Sequence, residues 1–219
     1  MTIPAASQYD ARFRRLLVDF DEGFLENASG AIYGLWPNLT LAYFNPAWFQ
    51  FAAENRGEPA ISKEWALGRC ILEAIPHQLR PFFEGNYLRA LDEGRPWVHT
   101  YECSSDKVYR QFHLIAFPLI KSAGLLLVNS LRIESAQHQE SFPPIEERYT
   151  NKHGLMTQCC HCRRFKRASE QSTWDWVPSW VKKMPANISH GICKVCSGFY
   201  YAKHKVDLDP PETFSTTSD

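Results

Sequence analysis

Four cysteines carry the first chemistry that can be read from this chain. Cys159 and Cys162 form one C-x-x-C, and Cys193 and Cys196 form a second, with thirty residues between the pairs. A turn of this spacing offers two thiolates to one ion, and tetrahedral Zn²⁺ takes four such ligands at about 2.3 Å. The expectation is a structural zinc site built from Cys159, Cys162, Cys193 and Cys196. The intervening segment is too short for a core of its own but long enough for a hairpin and a short helix. "VPSWVKKMP" supplies that helix, with Pro178 at its start and Pro185 after its end, and Trp174, Trp176 and Trp180 give it something to pack.

Other thiol chemistry fits less well. The N-terminus "MTIPAASQYDARFRR" has no apolar stretch of the kind a secretory signal needs, so a cytoplasmic address with reduced thiols is expected, which disfavours disulfides. A catalytic C-x-x-C needs no second pair. A rubredoxin-like iron site has similar pair spacing, but it usually places glycine just after the second cysteine of each pair, where this chain has Arg163 and Ser197. The geometry of the first pair turns Cys160 and His161 away from the ion, into its surroundings or onto the surface. His190 could replace one thiolate; alternatively it hydrogen-bonds a ligand sulfur or caps the turn.

Cations crowd the first pair: Arg163, Arg164, Lys166 and Arg167, with Lys182 and Lys183 on the helix. The net charge of zero hides this asymmetry. Residues 1–157 hold 15 Lys/Arg and 18 Asp/Glu, residues 158–205 hold 9 and 2, and residues 206–219 hold none and 4. A basic module thus follows a mildly acidic body and precedes an acidic tail, which speaks of a partner surface more than of a fold. Four thiolates with one zinc leave the module at about +5 by the same count. Arg163, Arg164, Lys166 and Arg167 could contact nucleic-acid phosphates while Tyr200 and Tyr201 stack on bases. They could equally form a solvated face, or steady the thiolates and dock on the acidic body.

The rest of the chain must position this module. Phe13, Leu16, Leu17, Phe20 and Phe24 make one apolar stripe on a helix expected over residues 8–26, covered by its own domain or by a second copy. "AIYGLWPNLTLAYFN" reads as two strands around a tight turn, and Asn45 and Pro46 fit the cap and first position of the next helix. "ISKEWALGRCILEAIP" suggests short helical pieces. "PFFEGNYLRALDEG" reads as a longer helix burying Phe82, Tyr87, Leu88 and Leu91, and three strands follow, the last two joined by "KSAG". The fold class is α+β: an antiparallel five-stranded sheet over residues 28–135 with helices on one side, an amphipathic helix before it in residues 1–27, and a zinc knuckle after it in 158–205. Residues 136–157 read as a linker, and 206–219 as an acidic, disordered tail. No apolar run is long enough for a membrane span.

On that element order, and on "YFNPAWFQFAAEN" and "GRCILEAIP", residues 28–135 resemble a PAS domain. The resemblance implies a sensory or interaction module that often holds a small ligand between sheet and helices, and often dimerises through a preceding helix. Cys70 in "GRCILEAIP" lacks the asparagine, arginine and glutamine of the flavin-binding motif and reads as a small buried side chain. Haem-binding relatives use a histidine on the helix facing the pocket, which makes His77 the candidate haem ligand. Cys159, Cys162, Ser189, His190, Gly191, Cys193 and Cys196 also resemble the cysteine motif that ends many bacterial signalling proteins. Together these imply a non-enzymatic signalling protein, a homodimer with a protein partner, whose sensor speaks to a zinc-stabilised module through residues 136–157. The alternatives are a nucleic-acid-binding regulator and a haem sensor. No glycine loop for phosphate and no nucleophile–base motif points to an enzyme.

Overall fold

The structure, a computed structural model, describes residues 7–201. The tail 206–219 read from the sequence lies outside the described residues. The chain divides into two compact units, one of residues up to 75 with 80–137, the other of residues 76–79 with 138 onward.

The first unit opens with strand β1 (Gln8–Tyr9), a 3-10 turn at Phe13–Leu17 and helix α1 (Glu22–Asn27). The single helix expected over 8–26 therefore does not form. Asp10 accepts the backbone N–H of Arg12, and Asp21 caps α1 by accepting the N–H of Phe24 at 2.6 Å, so each carboxylate ends one piece or starts the next. The apolar stripe is nevertheless real. Phe13 and Leu17 are buried with Leu16 and Phe20 packed beside them, while Phe24 stays exposed.

Strands β2 (Ile32–Leu35) and β3 (Leu41–Phe44) form the first hairpin. Helix α2 (Pro46–Glu54) follows, capped by Asn45, whose side-chain oxygen accepts N–H groups from Trp48 and from Ile32. Helix α3 (Ala60–Glu64) and a 3-10 turn at Ile71–Ala74 lead to α4 (Arg80–Glu93), which ends at Gly94 with φ +60°. Strands β4 (Trp97–Glu102), β5 (Val108–Pro118) and β6 (Leu125–Ala136) complete the unit. The turn between β5 and β6 holds two residues in left-handed backbone, Lys121 and Ser122.

The sheet order is β1-β3-β2-β6-β5-β4, antiparallel throughout. It has six strands rather than five, because Gln8–Tyr9 pairs with Phe44 and Tyr43 at the edge instead of starting a helix. Side chains alternate across it. Leu125 and Leu127 face α2 and α4 in a core with Phe49, Tyr87 and Leu91, whereas Leu126 faces the other way, with Ile32 and Ala42, onto Phe13. Both faces are thus covered. Phe13 sits edge-on to Trp36, ring centroids 5.0 Å apart, in a notch made by two glycines. A Cβ on Gly34 would stand 2.3 Å from its ring and one on Gly124 2.9 Å. In α4 Phe82, Asn86, Tyr87, Ala90 and Leu91 are buried, while Leu88 is exposed.

The second unit contains α5 (Glu146–Tyr149), β7 (Met156–Cys159), β8 (Phe165–Lys166), β9 (Trp174–Asp175), α6 (Pro178–Lys182), β10 (Ile188–Gly191) and α7 (Lys194–Tyr200). Its sheet runs β10-β7-β8-β9, with β10 parallel to β7 and the other pairs antiparallel. Tyr149, Met156, Phe165, Val177 and Trp180 form its core. Of residues 136–157, which read as a linker, 138–157 belong to this unit: Phe142 lies against the core and its N–H bonds the Trp176 carbonyl, and Tyr149 is buried. Among the described residues no helix is long and apolar enough to cross a membrane.

Candidate metal centre

Two local structures and one strand pairing bring the four thiols together. Cys159 ends β7, and the chain turns back at once: the Arg163 N–H bonds the Cys159 carbonyl at 3.0 Å and the Cys159 N–H bonds the Arg164 carbonyl at 2.8 Å. The turn closes only with Arg163 in the left-handed region, φ +60°. An ordinary residue there costs about 1–2 kcal/mol. The glycine missing after the second cysteine is therefore missed in energy, not in shape. The buried Gln158 side chain braces the turn by donating to the Arg163 carbonyl at 3.3 Å.

The second pair uses a helix start. Cys193 is the N-cap of α7, and its sulfur accepts the Cys196 N–H at 3.4 Å. The Cys193 N–H in turn bonds the Cys159 sulfur at 3.4 Å. Backbone N–H groups aimed at sulfur favour its anionic form. Pairing of β10 with β7 sets Gly191 opposite Cys159, which closes the thirty-residue gap. The Ser189 and Thr157 hydroxyls lie 3.0 Å apart across this pair, and a Cβ on Gly191 would press the Thr157 methyl at 3.0 Å. So "S-H-G" contributes a cross-strand bond, a strand residue and a close approach.

The result is four buried sulfurs within 4.8 Å of one another, with Cys162 and Cys193 at 3.8 Å. A tetrahedron with metal–sulfur bonds of about 2.3 Å has edges of about 3.8 Å, so the spacing suits one ion. The electrostatics favour the same conclusion. Cys159 and Cys193 are held below the ordinary thiol value, Cys159 chiefly by its hydrogen bond from Cys162 and Cys193 by those from Cys159 and Cys162. Cys162 and Cys196 are pushed well above it, each chiefly by its bond to Cys159. Four thiols at this range share protons between them until a cation replaces those protons.

The neighbours differ from the sequence reading in several places. Burial pushes the Cys160 thiol up to about 12, so it is no nucleophile. His161 is buried: its Nε2 shares a hydrogen bond with the Tyr201 hydroxyl and its ring stacks on Tyr200 at 4.5 Å and 9°. Tyr201 is itself buried and one ring face of Tyr200 is taken, so neither is the free stacking platform expected. His190 is half-buried in β10. Its backbone carbonyl accepts from the Gln78 amide and its ring lies outside the sulfur cluster, its pKa lowered first by burial and then by Arg163. Of the four cations, Arg164 donates to Gln139, and Arg167 donates to Asp175 at 2.7 Å and to Glu170 at 3.0 Å while lying over the Phe142 ring. Asp175 is buried and also accepts the Tyr149 hydroxyl at 2.8 Å. Arg164 and Arg167 thus serve the module's own fold, and Arg163 serves its turn. Lys166 is half-buried and makes no ion pair among the described residues. No sequence signal announces the Arg167–Asp175–Tyr149 triad, because its members stand 8 and 18 positions apart and none belongs to a motif.

His77, which belongs with residues 76–79 to the second unit, does not suit a haem in the core of the first. It is exposed on a single 3-10 turn (His77–Leu79) and is no part of the core between sheet and helices. Cys70 is half-buried. The core has other polar groups, which periodicity could not reveal. Burial raises the Tyr33 phenol to about 12 and holds the neighbouring Tyr87 phenol well above its ordinary value. The Tyr101 hydroxyl donates to Asn129 at 2.9 Å. The Trp48 indole N–H, 5.2 Å from the Tyr33 ring by centroids, is buried without a partner among the described residues.

No family model matches the chain, and no curated protein matches it. Solved structures do. The chain is similar to the crystal structure of a phage VqmA–DPO complex at 14% identity and a TM-score of 0.39, over 56% of this chain and 53% of that one. It is also similar to a PAS domain of an HTR-like protein from Haloarcula marismortui at 17% identity and a TM-score of 0.33, over 50% of this chain and 92% of that one. The chain thus spans about half the length of the first of these, and likenesses this distant do not bear on what it binds.

Proposed function

We propose that this chain is a non-enzymatic signalling protein in which a PAS-like sensory unit shares one chain with a zinc-braced interaction module. The observation that carries the reading is the closure of the sulfur ring. All four tetrahedral positions are supplied by buried protein ligands. A catalytic zinc keeps one position for water or substrate, whereas a structural zinc does not. Zinc also matches the donor chemistry, since four thiolates in a tetrahedron select zinc or iron. The module then serves as a scaffold whose surface is its product. In the sensory unit, strand–strand–helices–three strands repeats the element order on which the PAS resemblance rests. Its core buries the Trp48 N–H without a partner among the described residues, beside the Tyr33 ring, which is the polar group a small ligand would find there.

The test is the metal content and absorbance spectrum of the protein purified from cells, with X-ray absorption at the metal edge. One zinc per chain with four sulfurs and no visible band supports the reading. Three sulfurs with a water ligand would return the site to catalysis, and a red iron–thiolate spectrum would make the module a redox device.

A further inference from the structure

Helix α7 turns Cys196 into the sulfur cluster on one side and exposes two apolar side chains on the other. Cys196 is buried, whereas Val195 is 71% exposed and Phe199 69% exposed. These two lie four residues apart, on one face. Gly198 lies between them, in the interior of a helix, where glycine is a poor choice. Its fold gives no reason for it: the backbone is helical, and a Cβ would meet nothing within 4 Å. A flat spot between two exposed apolar side chains is explained if another chain segment approaches the backbone there. Lys194 edges the same face, exposed, in a module with 9 basic and 2 acidic residues.

We propose that this face is a docking site for the chain's own acidic segment Val206–Phe214. The face is too small for a partner in solution, because a lone pair of side chains falls far short of the roughly 1,200 Å² that a stable interface buries. A tethered segment needs far less, since a short linker holds it at an effective concentration of about millimolar. "VDLDPPETF" places Val206, Leu208 and Phe214 among Asp207, Asp209 and Glu212, which is the complement of an apolar face rimmed by lysine. Tyr201, just after α7, is five residues before Val206. The thirteen peptide steps to Phe214 span up to about 45 Å, and seven helical residues are only about 10 Å long, so the segment can turn back along the helix. The proposal rests on and deepens the reading of the module as an interaction surface: at this face the partner is the chain's own tail.

The experiment compares the full metal-loaded chain with one ending at Lys205, following the backbone amide signals of Val195, Gly198 and Phe199 by NMR. A synthetic peptide of residues 206–219 is then titrated into each. The expected result is that truncation shifts these three signals, and that the peptide restores them in the truncated chain with a Kd of about 0.1–1 mM. The affinity falls several-fold when salt rises from about 0.05 to 0.5 M, and binding to the full chain is at least about tenfold weaker by competition. Val195→Ser and Phe199→Ser abolish the shift, and Gly198→Ala weakens it although alanine favours the helix. Metal content is measured in every variant, so loss of the module is told apart from loss of docking. Signals that do not move on truncation overturn the proposal. Signals that move with protein concentration in the full chain also overturn it, and assign the face to a second copy.

Discussion

Changing Cys196 to serine isolates what one sulfur contributes to the second unit. The substitution leaves the α7 cap in place, because that cap is the Cys193 sulfur accepting the Cys196 N–H. It removes one of four buried donors and replaces it with a hydroxyl that stays protonated. A structural zinc site contributes about 10–16 kcal/mol at neutral pH, so one ligand in four carries roughly 3–4 kcal/mol. At 1.4 kcal/mol per tenfold, the metal affinity falls about 100- to 1,000-fold. For a folding unit of about 60 residues, with 4–8 °C per kcal/mol, the melting transition drops by about 12–30 °C. The affinity is read by competition with a chromophoric chelator, and the transition by calorimetry with metal in excess. Cys103→Ser is the control, since Cys103 lies in the first unit and is exposed. If the Cys196 variant holds metal within about threefold of the parent and melts with it, the four sulfurs are not one site and the reasoning fails.

Other outcomes follow from the same geometry. Metal binding releases protons near neutral pH, because Cys162 and Cys196 are pushed up and keep their protons until an ion replaces them. Affinity therefore weakens as pH falls, and pH-indicator titration counts the protons. Arg167→Ala lowers the thermal melting transition of the second unit, because it leaves the Asp175 carboxylate buried without its cation. Arg167→Lys recovers part of that loss in the same melt. Phe13→Ala costs the first unit about 3–5 kcal/mol in urea unfolding. Gly34→Ala costs a similar amount alone and less in the Phe13→Ala background, where the 2.3 Å clash with that ring is gone and only the 2.9 Å approach to the Tyr43 Cβ remains. Lys121→Asn stabilises the same unit by about 0.5–1 kcal/mol, because asparagine tolerates the left-handed backbone at φ +52°.

Local signals in the sequence translated well, and long-range ones did not. Asn45 and Pro46 start α2, "KSAG" turns β5 into β6, and Pro178 starts α6, each through chemistry contained in a few residues. The two C-x-x-C pairs were legible for the same reason. The parallel pairing that joins them was not, because nothing near Thr157 announces Ser189. Residues 138–150 looked like a linker because their composition is polar. Their anchors are Phe142 and Tyr149, held through Asp175 and Arg167, which only the folded unit brings together. The cover on the sheet's second face was half legible: the stripe from Phe13 to Phe20 showed in the periodicity, but the notch at Gly34 and Gly124 that seats Phe13 did not. The cations beside the knuckle misled by number. A run of Arg and Lys reads as a surface, yet two of the four are spent inside the module.

The distance in sequence between the two halves of the sulfur ring has a consequence for biosynthesis. Cys162 leaves the ribosome 34 residues before Cys196, and Cys159 37. At about 5–20 residues per second, the first knuckle waits roughly 2–7 s as an open two-thiol fragment. During that interval it can hold an ion only weakly, and it is exposed to oxidants and to competing soft metals. Until β10 is made and laid beside β7, the nascent chain has no way to choose its metal. Selection by four thiolates begins only when the last cysteine arrives, and slowing translation between Arg163 and Cys196 should raise the fraction of chains that mature with the wrong ion or with none.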